Sequence, residues 1–194
     1  MKRIMTLTVV GLIGTFFFYE PSIEYGPGVL APNAPLQVAP ADPAEFEFKG
    51  YTFKPLADFS IQARVLGRER YRSDRESNLA PIDLILGWGR MSDSGVLAPF
   101  TFSQSGRWFR YKTNQWTIPK SEVIQHSANM HIIPSTAELE SKLNAIVVGQ
   151  VISLEGSLVH VKAQDGWQWK SSMTRKDSGA GSCEVIWLRS LETD

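Results

Sequence analysis

The side chains able to do chemistry are few. Cys183 is the one thiol, and His131 and His160 are imidazoles able to serve it as a base. Nucleophilic thiol chemistry needs a sulfur, a base within hydrogen-bond reach and a third group that orients the base. Asp83 and Asn129 supply that third residue type. Cys183, His131 and Asp83 are therefore the candidate catalytic set of a Cys/His-dependent hydrolase or thiol enzyme. The plainer reading makes Cys183 a small buried hydrophobe at the head of the last strand.

The densest polar run, Ser171 to Glu184, places Arg175, Asp177 and Glu184 around a Gly179-Ala180-Gly181 loop. As a ligand site, Arg175 would grip an anion through two parallel bonds, loop N–H groups would form a nest, and Trp88 would add an aromatic surface. As scaffold, Asp177 turns the chain, Arg175 pairs with an acid such as Asp83, and the glycines permit positive φ. A third set, Trp88, Met91, Met130, His131 and Cys183, has donors suited to Cu(I). No ligand spacing accompanies it, and the adjacent Met130 and His131 diverge in a strand, so core methionines and a hydrogen-bonded histidine are the alternative. Arg64, Arg68, Arg70, Arg72 and Arg75 are interleaved with Glu69, Asp74 and Glu76. That dilutes the field, so a solvated loop is expected there and no nucleic-acid partner.

The chain that carries these residues reads as mainly β. Phe46 to Phe53 alternates around Gly50, and Phe59, Ile61, Ala63 and Val65 alternate along a second strand. Ile82 to Trp88 is a buried strand carrying one acid, Asp83; Val96 to Phe102 and Trp108 to Lys112 are shorter candidates. Ser135-Thr-Ala-Glu138 matches a capping box before Leu139, Leu143 and Ile146, which recur at helical spacing, and Gly149 follows. Val151 to Val161 bends at Gly156, Asp165-Gly166 makes a turn before Trp167 to Ser172, and Glu184 to Arg189 is the last strand.

Composition removes several classes. Lys+Arg and Asp+Glu stand at 20 each, so no global field draws the chain to polyanions. One cysteine excludes internal disulfides and cysteine-rich zinc sites. No phosphate-binding glycine loop, HExxH or GxSxG occurs. At the N-terminus, Lys2 and Arg3 precede a charge-free run, Ile4 to Tyr19, closed by Glu20 and Pro21. Small residues suited to cleavage are missing after it, so the run reads as an uncleaved anchor rather than a removed signal. As a helix it covers ~24 Å, and Tyr19 and Lys2 at the interfaces extend it toward the ~30 Å of the hydrocarbon core. From Pro21 to Pro43 lie six of the eleven prolines, a composition that suggests a semi-rigid spacer.

The stretch from about Phe59 to Leu191 carries Pro81-Ile-Asp83-Leu, Gly87-Trp-Gly89 with Met91-Ser-Asp93, and Ala128-Asn-Met-His131-Ile-Ile-Pro134. Gly166-Trp-Gln-Trp169-Lys-Ser-Ser172 and Thr174 to Glu184 follow. Through these motifs it resembles an uncharacterised family of bacterial membrane-anchored envelope proteins with no assigned activity. The resemblance implies an envelope location and the domain boundaries, and carries over no catalytic residue and no cofactor.

The expectation is thus a mainly β protein with one helix (α+β), a small antiparallel barrel or sandwich with an OB-like barrel as one form. It follows an N-terminal transmembrane helix. Residues 1–20 are the anchor, 21–44 the linker and 45–194 the exported domain. The protein is expected in the inner membrane as a single-pass chain, held by residues 4–19, with its C-terminal domain in the periplasm. There it would act as a binding or structural module for an envelope protein partner.

Overall fold

The computed structural model describes residues 21–174 and 183–193. The hydrophobic run 4–19, Arg175 and Asp177 lie outside the described residues. No helix among the described residues is long and apolar enough to cross a membrane.

The described chain is mainly β. Its strands are β1 (Leu36–Val38), β2 (Phe46–Phe48), β3 (Tyr51–Arg70), β4 (Ile82–Gly87), β5 (Phe100–Ser105), β6 (Trp108–Thr113), β7 (Ser127–Pro134), β8 (Val151–Lys162), β9 (Gln168–Lys170) and β10 (Glu184–Thr193). Three short α-helices, α1 (Ser94–Leu97), α2 (Lys120–Gln125) and α3 (Ala137–Ala145), stand where the pattern points to one. α1 and α2 are too short to display a helical period. α3 is capped by Thr136, whose hydroxyl accepts from the Leu139 N–H at 3.2 Å, rather than by Ser135. The Ser135 N–H still bonds the Leu188 carbonyl at 3.3 Å, so sheet pairing holds that residue and delays the helix by one position.

Five strands make a closed cycle of pairings. β3 pairs with β4, β4 with β7, β7 with β10, β10 with β8, and β8 with β3. Four of these pairings are antiparallel; β7 with β10 is parallel, so the sheet is mixed rather than antiparallel throughout. A parallel pair needs a long connection, and α3 and β8 supply it.

Period-two alternation gives these strands two faces. Ile82, Leu84 and Leu86 of β4, Ala128, Met130 and Ile132 of β7, and Ile186 and Leu188 of β10 join one apolar cluster, with Leu139 and Leu143 of α3. Asp83, Asn129 and His131 fall at the intervening positions. Bulges between Pro55 and Ala57 and between Val65 and Gly67 shift the alternation of β3. Phe53 thereby joins an outer cluster with Val159, Val161 and Val185, while Phe59, Ile61, Ala63 and Val65 face the inner one. A third cluster, around Ile85, Met91 and Phe100, lies under the β5–β6 hairpin.

The proline-rich segment lies along this body. The Ile23 N–H donates to the Val148 carbonyl (2.8 Å), and the N–H groups of Leu30 and Ala31 both donate to the Ser92 hydroxyl. Ala31 is fully buried, β1 pairs with β3, and the Ala41 N–H bonds Asp58. Proline removes donors only at its own positions, and the residues between keep theirs. The arginine-rich stretch also differs from a solvated loop. β3 runs through it, and Arg68 and Arg70 donate to the Ile146 carbonyl just beyond α3 and to Asn144 within it, at 2.9 and 2.7 Å. Cations at a helix C-terminus are favoured.

Gly156 pairs with both Phe59 and Leu188, and a Cβ there would fall on the Trp187 carbonyl oxygen. Gly156→Ala is expected to lower stability in urea unfolding by about 1–3 kcal/mol, the range for overpacking. Gly26→Ala, with open space around it, is expected to stay within about 0.5 kcal/mol.

Candidate functional site

Asp83 is wholly buried in a strand that is otherwise apolar. A carboxylate out of water must be paired and hydrogen-bonded. Its Oδ1 accepts from Arg107 Nη1 at 2.7 Å, and its Oδ2 accepts from Asn129 Nδ2 at 3.3 Å. His131, directly across the β4–β7 ladder, brings Nδ1 to 2.9 Å from Oδ2. That approach is an ion pair rather than an aligned hydrogen bond.

Arg107 reaches Asp83 from the tip of the β5–β6 hairpin. Gly106 and Arg107 both have positive φ, 58° and 68°, as a two-residue primed turn requires. A side chain in that region costs on the order of 1–3 kcal/mol. Several bonds offset it. The guanidinium grips Asp74 through Nε and Nη2 at 2.7 and 2.9 Å and donates to the Ala80 carbonyl at 3.0 Å. It also lies over the Tyr71 ring, 3.9 Å from the centroid. The Arg107 N–H donates to the Tyr71 hydroxyl, and its carbonyl accepts from Asn129. Burial lowers the guanidinium's pKa, but Asp74 and Asp83 outweigh it and the net direction is upward. Asp74 is held below the usual carboxylate range by its bonds from Arg107.

Beyond His131 the site opens. The imidazole lies 4.9 Å from the Trp169 ring and lines one cavity with the Cys183 thiol. Val185 sits opposite His131 in the parallel β7–β10 pair, and Cys183, two residues earlier, shares its side of the strand. Arg107, Trp108, His131, Trp169, Lys170 and Cys183 line a cavity of about 180 Å³. Burial pulls the His131 pKa down; Asp83, and then Cys183, overcome it and raise the imidazole to about 9.

The structure thus brings Cys183, His131 and Asp83 together and separates the other candidates. Trp88 is buried in the inner cluster and offers no surface to a ligand. Glu184 is fully buried opposite Met130, on the side of Ile186 and Leu188, and does not line the cavity. His160 bonds Gln168 instead. The copper set is dispersed: Trp88 and Met130 face the inner cluster, Met91 lies under the hairpin, and His131 and Cys183 line the cavity. Among the described residues, no group of three or more His, Cys, Asp or Glu is placed to hold a metal ion. Sequence reasoning missed Arg107, Asp74, Tyr71, Trp108, Trp169 and Lys170. The available signal was the Gly106-Arg107 pair between two aromatic-rich strands, together with an acid in an apolar strand that demands a cation.

The chain matches no family model, no curated protein and no solved structure.

Arg107→Leu takes the arginine from buried Asp83 and from Asp74 and is expected to cost about 3–5 kcal/mol in urea unfolding. Asp83→Asn added to it should recover part of that loss. His131 is raised in the folded state, so its contribution is full below its unfolded pKa near 6.5 and fades as pH rises through about 9. The stability gap between the wild type and His131→Gln should therefore be widest at pH 6 and shrink toward pH 10.

Proposed function

We propose that the chain is a membrane-tethered periplasmic binding module, an OB-type five-stranded barrel whose outer face receives a protein or other component of the envelope. One observation carries the reading: the elements that converge on the cavity. An OB barrel runs its strands in the cyclic order one-two-three-five-four, with a helix between the third and fourth. It binds ligands on the face of strands two and three, with the loops joining strands one to two and four to five. Here β3, β4, β7, β8 and β10 follow that order, and α3 lies between β7 and β8. Asp83 and His131 come from β4 and β7, Tyr71 and Asp74 from the β3–β4 connection, and Trp169, Lys170 and Cys183 from the β8–β10 connection.

The chemistry of the cavity fits a binding role. Trp108 is 42% exposed and stands beside Arg110 and Lys112 on the outward side of β6, while Lys170 flanks Trp169. Aromatic faces beside cations favour sugar rings, aromatic side chains and acidic groups. Tethering by residues 4–19, with Lys2 and Arg3 retained in the cytoplasm, puts this face in the periplasm.

A photo-crosslinking residue at Trp108 or Lys170 of the full-length chain in its own cells should trap one predominant envelope component. Trp169→Ala should remove the product without unfolding the domain. Trapping only at random neighbours, or a C-terminal reporter active solely in the cytosol, would remove this reading.

A further inference from the structure

We propose that Cys183 is a nucleophile, with His131 as its proton partner and Asp83 as the positioning residue, and that the cavity admits a small acyl ester or thioester. The proposal deepens the reading of this face as the working site and rests on it for location only.

Three features carry it. The thiol is the single cysteine of the chain, is partly exposed, and shares its cavity with an imidazole. That imidazole is only 4% exposed, yet it lines the cavity, with its Nδ1 turned to Asp83. Asp83 holds the ring from behind at 2.9 Å and is itself fixed by Arg107 and Asn129, so the ring orientation is set by a rigid network rather than by the thiol. A structural cysteine in an apolar core needs none of this. A sulfur, an imidazole and an orienting carboxylate in sequence are the parts of an activated nucleophile.

The size and lining of the cavity choose the substrate class. About 180 Å³ between Trp108 and Trp169 admits an acyl group of a few carbons or one ring, not an extended chain. In the step, sulfur attacks the acyl carbon as the thiolate left when its proton resides on His131. The C–S bond forms as the bond to the leaving alkoxide or thiolate breaks, and the imidazolium gives that leaving group its proton. The product is an S-acyl Cys183 and a free alcohol or thiol, with no change of oxidation state.

The test uses the full-length chain in detergent with two probes, iodoacetamide and p-nitrophenyl acetate, at neutral pH. Folded wild type should be alkylated at Cys183 at least about tenfold faster than the same chain unfolded in urea. It should also release one equivalent of nitrophenolate with an acetyl adduct on Cys183. Cys183→Ser should lose both reactions, and a folded His131→Gln should acylate about a hundredfold more slowly, the scale of a lost proton partner. If His131→Gln fails to fold, the folded-to-unfolded comparison on wild type decides alone. A folded thiol no faster than the unfolded one, or acetylation elsewhere, overturns the proposal. Crosslinking at Trp108 or Lys170 could still succeed then, so the two failures are distinguishable.

Discussion

A carboxylate with no access to water is the constraint around which this molecule is arranged. Asp83 is the second residue of β4, where every neighbour along the strand is buried. Arg107, delivered to it from a separate hairpin, and Asn129 take its two oxygens. That delivery explains an otherwise unfavourable turn, with arginine in left-handed backbone. It also explains why Asp74, Tyr71 and the Ala80 carbonyl crowd one guanidinium, while Asn129 holds the Arg107 backbone carbonyl. Each acid of the cluster has a basic group against it, Asp74 and Asp83 facing Arg107, and Asp83 facing His131 as well.

The closed cycle of strands makes such a site affordable in structural terms, because it separates two jobs. One side of β4 and β7 fills an apolar interior with Leu84, Met130 and Ile132, where packing alone decides stability. The other side carries Asp83, Asn129 and His131, and a second layer of hairpin and loop closes over them. A polar network on the inner side would interrupt the core; on the outer side it is roofed by Tyr71 and the hairpin tip and ends at an opening beside Trp169.

Much of this was legible in the residues. The alternation of β3, β4, β8 and β10, the bend at Gly156 and the position of α3 follow from local pattern, as does Asp83 as an acid in need of a partner. The identity of that partner was not legible, because Arg107 is 24 residues away in a turn whose type normally selects Asn-Gly. Nothing local distinguishes Arg107 from the five arginines between Arg64 and Arg75, whose alternation with acids suggests solvation. In the fold several of those cations serve other carbonyls and carboxylates: Arg68 and Arg70 at the end of α3, Arg75 on Asp165 and over Trp167. The proline-rich stretch misleads in the same manner, since composition reports stiffness and says nothing about adhesion.

That adhesion has a consequence for reach. The segment is fastened to the body from Ser22 onward, through Val148, Ser92 and β3. Residues 22–41 therefore move with the sheet as one body, and their prolines lengthen the domain's own surface instead of setting it at a distance from anything.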